Sequence, residues 1–185
     1  YPLRETDIQE LPGDPDKATD AAFDALLAPA LAVHDLGLMS DAGCPGVADP
    51  GAGLVARAHA LGIRVAPLVG PSSILLGLMG SGLNGQSFAF HGYLPVAEME
   101  RDARLRALEE ESRRLGRTQL FIETPYRNER MLEALLKQLG PATRVCVACD
   151  LNTAGETILT RTVRDWRKAE RPALARRPTV FLVLA

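Results

Sequence analysis

The chain has too little cysteine to be held together by disulfides. Its three cysteines, Cys44, Cys146 and Cys149, cannot all pair, which counts against a disulfide framework and favours a reducing cytoplasm. Long apolar runs are also missing. None approaches the ~20 residues of a membrane-spanning helix, and the opening residues lack a signal-peptide pattern, so a cytoplasmic protein is expected. There is no G-x-x-x-x-G-K-[ST], and no G-x-G-x-x-G follows a strand-like run; an ATPase or nicotinamide enzyme is disfavoured. Cys146 and Cys149 form C-V-A-C, but no second C-x-x-C or H-x-x-x-H supplies the other half of a zinc site. A redox pair would open a helix, whereas these two lie inside a strand-like run, so two buried strand cysteines and no metal are expected. Aromatic residues make up only 5%, with no aromatic-rich surface motif for stacking on single strands.

What the 185 residues do contain suits a globular protein with a real core: 46% hydrophobic and 24% charged. The net charge of −2 conceals an asymmetry. Residues 1–100 carry 4 Lys and Arg against 12 Asp and Glu, a balance of −8; residues 101–185 carry 17 against 11, a balance of +6. Either two solvated faces of opposite sign or two regions with different partners would account for it. The sequence starts at Tyr1, without methionine or an opening strand, and an N-terminal portion is expected to be absent.

Periodicity predicts helices over 20–31, with Asp20 as N-cap, and over 53–62, stopped by Gly62. Further helices follow from the patterns at 70–82, 98–116 (Leu105, Leu108 and Leu115 on one face) and 128–140. Strands are expected at 36–40, read as a buried parallel strand, and at 63–69, 88–95, 118–124, 142–151 and 178–185. Segment 156–169 alternates early and then turns helix-like. This is an α/β protein. The change of character at a Gly/Pro turn divides it into a domain over 1–91, incomplete at its start, a linker at 92–97 and a domain over 98–185.

Ligands of open α/β sheets bind beyond the carboxyl ends of strands. Four unusual loops are expected at such ends: SDAGCPGVADPG (40–51), VGPSS (69–73), ETPYR (123–127) and DLNTAGE (150–156). The glycines of the first allow main chain to approach a ligand or adopt positive φ. Ser72 and Ser73 place hydroxyls and free amides at a helix start.

SDAGCPGVADPG, VGPSS, FHGYLP and ETPYR, in that order, resemble the tetrapyrrole (corrin/porphyrin) methylase superfamily, over about residues 36–185. Within it they are most similar to the branch that methylates the 2′-hydroxyl of a cytidine in 16S ribosomal RNA. The departures are VGPSS for P-G-P-S-A, Tyr93 for Phe, Tyr126 for His and DLN for E-L-T, a pattern shared with an uncharacterised sister group. The resemblance implies two α/β domains with S-adenosyl-L-methionine in the cleft between them, usually in a homodimer, and an N-terminal strand with a P-T-P-x-G-type loop. Carried over by position, it implies that Asp41, Ala42, Gly43, Val47, Ser72 and Ser73 line the cofactor, with Thr124, Leu151 and Asn152 completing the pocket.

Methyl transfer to a ribose hydroxyl gains from a general base, and Glu123, at a strand end, is the first candidate. Arg127, four residues on, would neutralise a phosphate or fix that carboxylate; a pair that only pins the loop is the alternative. Asp41 would orient cofactor or substrate, or bond its own backbone as turn aspartates do, and Asp49 is read as turn chemistry. His91 would face the cleft or pack; His34 and His59 are read as surface or core residues. Arg101, Arg104, Arg113, Arg114 and Arg117, then Arg161, Arg164, Arg167, Lys168, Arg171, Arg176 and Arg177, invite contact with ribosomal RNA or the small ribosomal subunit. The expected activity is S-adenosylmethionine-dependent methylation of that RNA. A tetrapyrrole C-methyltransferase and a non-catalytic S-adenosylmethionine-binding module are the alternatives.

Overall fold

The computed structural model describes residues 7–12, 19–41 and 43–185. They form two compact units, which meet in sequence between Pro71 and Ser72.

In the first unit, helices α1 (Asp20–Leu31) and α2 (Ala52–Ala60) pack through Phe23, Leu27, Leu54 and Ala58. The N-cap of α1 is Thr19 rather than Asp20: its hydroxyl accepts the Ala22 amide, and Asp20 becomes the first helical residue. Gly62, at φ +72°, ends α2 as its sequence predicts. A forked ion pair joins the helices, Arg57 Nε and Nη2 donating to the two Asp24 oxygens at 2.6 and 2.8 Å, and this hydrogen bonding holds the Asp24 carboxyl below its ordinary value.

Segments 36–40 and 63–69 run extended, but they are not strands. A strand exists through its ladder partner, and neither segment enters a strand ladder among the described residues. Met39, at 68%, and Leu68, at 91%, are exposed, whereas Leu38 and Ile63 pack partly against the α1–α2 core.

The second unit is built on a five-stranded sheet in the order β1-β2-β5-β3-β4, comprising β1 (Phe88–Tyr93), β2 (Thr118–Ile122), β3 (Arg144–Cys149), β4 (Thr157–Thr162) and β5 (Thr179–Leu184). It is mixed, and the connections explain why. Helix α4 (Glu98–Leu115) carries the chain over from β1 to a parallel β2, whereas a seven-residue loop turns β3 back into an antiparallel β4. The crossover through α5 (Asn128–Gln138) leaves a gap between β2 and β3, which β5 fills antiparallel to both.

Alternate residues of the strands feed two cores. Phe121, Val145, Val147, Cys149, Phe181 and Val183 face α4, α5 and the short α6 (Val163–Trp166). Leu120, Cys146, Ala148, Val180 and Leu182 face α3 (Ser73–Ser81). Gly77 of α3 lies close over this second face: a Cβ there would sit 3.5 Å from that of Ala148 and 3.6 Å from that of Val180. The pairing of β1 with β2 puts residues 88–93 inside this unit, so the division falls earlier than the expected turn at 92–97. Leu105 and Leu108 are buried as their spacing requires, but Leu115, in the last turn before left-handed Gly116, is exposed.

Cys146 and Cys149 are buried strand residues. Burial pushes the Cys146 thiol up to about 11, with Thr160 partly opposing it, and raises Cys149 as well. Iodoacetamide at pH 8 is expected to label Cys44 in the native protein and the other two only in denaturant. Between the ordinary thiol range and pH 11 the native state holds a proton that the unfolded chain has lost. Stability is therefore full below that range and falls by roughly 2–3 kcal/mol as pH rises through it, a loss that Cys146→Ala should abolish in urea titrations.

Candidate functional site

Strands β1, β2 and β3 run in one direction, so the loops that follow β2 and β3 leave the same end of the sheet. Helix α3 points its first turn there too: Gly77 lies over Ala148 and Val180, while Ser81 accepts a hydrogen bond from Thr160, the partner of Cys146 further down the ladder. Six of the sequence-derived candidates, Ser72, Ser73, Glu123, Thr124, Leu151 and Asn152, are thereby brought to one end of one sheet, and Arg127 joins them.

After β2, Pro125 starts a single 3₁₀ turn, Pro125–Arg127, which the Arg127 amide closes on the Thr124 carbonyl at 2.8 Å. The turn folds Arg127 back onto Glu123. Its Nε and Nη2 donate to Glu123 Oε1 at 3.0 and 2.6 Å, and Nε also reaches Thr124 Oγ1 at 2.9 Å. The Thr124 amide donates to the same oxygen at 2.7 Å. The Glu123 side chain is only 3% exposed, so Arg127 is the countercharge that lets a carboxylate sit there. Among the described residues Oε1 takes all these bonds and Oε2 none. The ring of Tyr126 is exposed, with the Arg127 guanidinium 5.6 Å from its centre.

Ser72 is buried and extended at the N-cap of α3, yet its side chain makes no capping bond, and Ser73 beside it is exposed. The first-turn amides of α3 have no helical acceptor. After β3, Asp150 (φ +51°) and Asn152 (φ +64°) adopt left-handed backbone, with Leu151 between them packed against the α3 face.

Asp41, Gly43 and Val47 belong to the first unit, and Ala42 lies outside the described residues. Their loop winds through four positive-φ residues: Gly43, Gly46, Ala48 and Gly51. Glycine is favoured at 51 by its φ of +129°, a backbone that other residues rarely adopt, and a Cβ there would also have to displace the end of the Leu38 side chain. Asp41 and Val47 are exposed.

His91 is held on both ring nitrogens. Arg104 Nη2 approaches Nδ1 at 3.2 Å, and because arginine can only donate, Nε2 carries the proton shared with Gln119 Oε1 at 2.6 Å. His34 and His59 are exposed. Most arginines of the basic C-terminal half are engaged within the fold. Arg101 pairs with Asp102, Arg113 with Glu110, Arg117 with Glu111 and Arg171 with Glu133. Arg167 caps the Leu136 carbonyl at the end of α5. Arg164, Lys168 and Arg176 are exposed and form no ion pair among the described residues. No cluster of metal-ligating side chains occurs among the described residues, and none of their helices is long and apolar enough to cross a membrane.

Sequence reading missed Asn128 and Asp150, and took Arg177, which is engaged inside the fold, for an RNA-facing cation. Asn128 is fully buried, its Nδ2 donating to the Arg177 carbonyl at 2.7 Å, and Arg177 Nε donates to Asp150 Oδ2 at 2.7 Å. A buried asparagine directly after ETPYR, and an aspartate opening DLNTAGE, were the available signals.

No family model matches the chain. Curated relatives named ribosomal RNA small subunit methyltransferase I match the chain, three of them as follows. That of Pseudomonas aeruginosa is 39% identical over 125 residues, 68% of this chain and 43% of the relative. That of Mesorhizobium japonicum is 39% identical over 131 residues, 71% and 43%, and that of Xylella fastidiosa 36% over 144 residues, 78% and 51%. The chain spans about half the length of the curated relatives it matches. Among solved structures, the methyltransferase CobJ superposes with a TM-score of 0.59 at 21% identity, covering 100% of this chain and 79% of that one. A conserved hypothetical protein from Aeropyrum pernix K1 gives 0.54 at 16%, covering 78% and 56%. Both share the fold.

Proposed function

Because the chain belongs to the family of ribosomal RNA small subunit methyltransferase I, we propose that it is part of an S-adenosylmethionine-dependent methyltransferase acting on the 2′-hydroxyl of a cytidine in 16S ribosomal RNA. The observation that carries this reading is the gathering of the loops after β2 and β3, and of the α3 amino terminus, at one end of the sheet. The names of the relatives support small-subunit RNA as the substrate class.

The residues present fit such a cofactor. The uncapped first turn of α3 and the Ser72 and Ser73 hydroxyls offer donors to its polar groups. Thr124 and the Leu151–Asn152 turn, with Asn152 left-handed, offer main chain and a small hydroxyl on the other side; Asp41, Ala42, Gly43 and Val47 are assigned to the cofactor by their motif alone. When bound, S-adenosylmethionine supplies a methyl group on a sulfonium, open to in-line displacement.

The protein's own share is positioning and proton handling. Glu123 Oε2, which makes no hydrogen bond among the described residues, is the atom assigned to accept the ribose hydroxyl proton, while Oε1 is occupied by Arg127 and the Thr124 amide. The exposed Tyr126 ring beside a guanidinium suits a stacked nucleobase, and Arg164, Lys168 and Arg176 are cations left over for phosphates. Phe88 and Tyr93, exposed on edge strand β1, give an apolar face to a second copy, in keeping with a homodimer.

Calorimetric titration of the intact protein with S-adenosylmethionine and with S-adenosylhomocysteine is expected to show one saturable site per chain. Transfer of labelled methyl to unmethylated small ribosomal subunits should follow. A folded protein that binds neither compound would overturn the reading.

A further inference from the structure

Two loops of the candidate site come from opposite sides of β5, and residues 176–178, which lead into β5, are bonded to both. On one side, the Arg176 amide donates to the Pro125 carbonyl at 3.2 Å, and buried Asn128 donates to the Arg177 carbonyl at 2.7 Å. On the other, the Asp150 amide donates to the Pro178 carbonyl at 2.9 Å. The Arg177 guanidinium completes the junction with every nitrogen engaged. Nε meets Asp150 Oδ2 at 2.7 Å, Nη2 the Gly155 carbonyl at 2.7 Å and Nη1 the Ala173 carbonyl at 3.0 Å.

The backbone at this junction is unusual. Asp150, Asn152 and Arg176 all hold left-handed conformations without being glycine. Such conformations persist only where surrounding bonds over-determine them. The charge of Arg177 is spent inside the fold, so it is not a cation waiting for RNA.

We propose that Arg177 is a positioning residue that ties the 123–128 loop to the 150–156 loop, so that two walls of the cofactor pocket are held as one body. The pocket in this statement rests on the reading given under Proposed function; the tie does not. A point-charge lysine cannot reach three acceptors in the fixed planar fork of a guanidinium, so Arg177→Lys should behave more like Arg177→Met than like the parent.

The test is amide hydrogen exchange on the intact protein, combined with titration of S-adenosylhomocysteine. In Arg177→Met, exchange is expected to quicken about tenfold or more in both 123–127 and 150–156, with the β2, β5 and β3 amides unchanged. The dissociation constant should rise about tenfold, because a pocket no longer preorganised must be ordered on binding. Asp150→Asn, which keeps the shape and an acceptor oxygen, should show the same paired loosening at smaller size and guards against a methionine variant that fails to fold. Loosening of 150–156 alone, or unchanged affinity in a loosened variant, would overturn the proposal, as a purely local structural role gives those results. If the parent protein binds no S-adenosylhomocysteine, the cofactor reading fails, and with it the assigned purpose of the tie, while the exchange data still decide whether the two loops are joined.

Discussion

Trp166→Ala is expected to lower the unfolding free energy by about 3–5 kcal/mol, the range for deleting a fully buried large aromatic. Trp166 is the sole tryptophan, is 0% exposed and sits in the core beneath β3 and β5. Three losses coincide. The cavity is large, the Val145 carbonyl loses the indole N–H that donates to it at 2.9 Å, and the Arg161 guanidinium loses the ring it covers at 4.7 Å. The last matters because Arg161 Nη1 is buried without a hydrogen-bond partner among the described residues. Trp166→Phe keeps much of the packing and gives up the indole bond, for about 1–2 kcal/mol. Circular dichroism in urea reads both, since the fluorescent reporter is gone; a loss below 1 kcal/mol for the alanine variant would mean that the ring is not packed as described.

The Glu123–Arg127 pair should give the largest functional effect. Arg127→Met strands a carboxylate whose side chain is 3% exposed, and is expected to cost about 3–5 kcal/mol of stability. Glu123→Gln leaves Arg127, whose side chain is 20% exposed, with Thr124 Oγ1 still in reach, and should cost less. The double variant should then fall well short of the sum, since both changes remove one interaction. Activity separates the two roles of Glu123. As proton acceptor, its conversion to glutamine lowers methyl transfer about 100-fold or more with cofactor affinity little changed. A loop pin alone would leave the rate within about tenfold, because glutamine retains the shape and an acceptor oxygen.

The second unit was largely legible in the sequence because its signals are local. Leucines at i, i+3, i+4 and i+7 make α5, the β-branched run TVFLVL makes β5, and ETPYR announces its own turn. The position of β5 was not legible: only the gap left between β2 and β3, a property of the whole sheet, places it there. Segments 36–40 and 63–69 show the converse. Their composition is that of strands, but pairing depends on a partner that composition does not reveal. The basic tail misled in a related way, since nothing in a string of arginines distinguishes Arg164 in solvent from Arg167 on the carbonyls of α5. At the site, residue types and loop positions were readable, whereas the bonding of Glu123 through Oε1 and the Arg177 junction arise from side-chain directions fixed by packing.

The strand translated last among the five makes both central pairings of the sheet. Until Thr179–Leu184 have left the ribosome, β2 and β3 face an empty slot, each with an unsatisfied edge and half of two hydrophobic surfaces uncovered. The two halves of the sheet, β1–β2 and β3–β4, can be joined into one only when β5 arrives. A nonsense or frameshift lesion just before residue 179 would therefore leave two separate strand pairs, β1–β2 and β3–β4, with open edges in place of one five-stranded sheet.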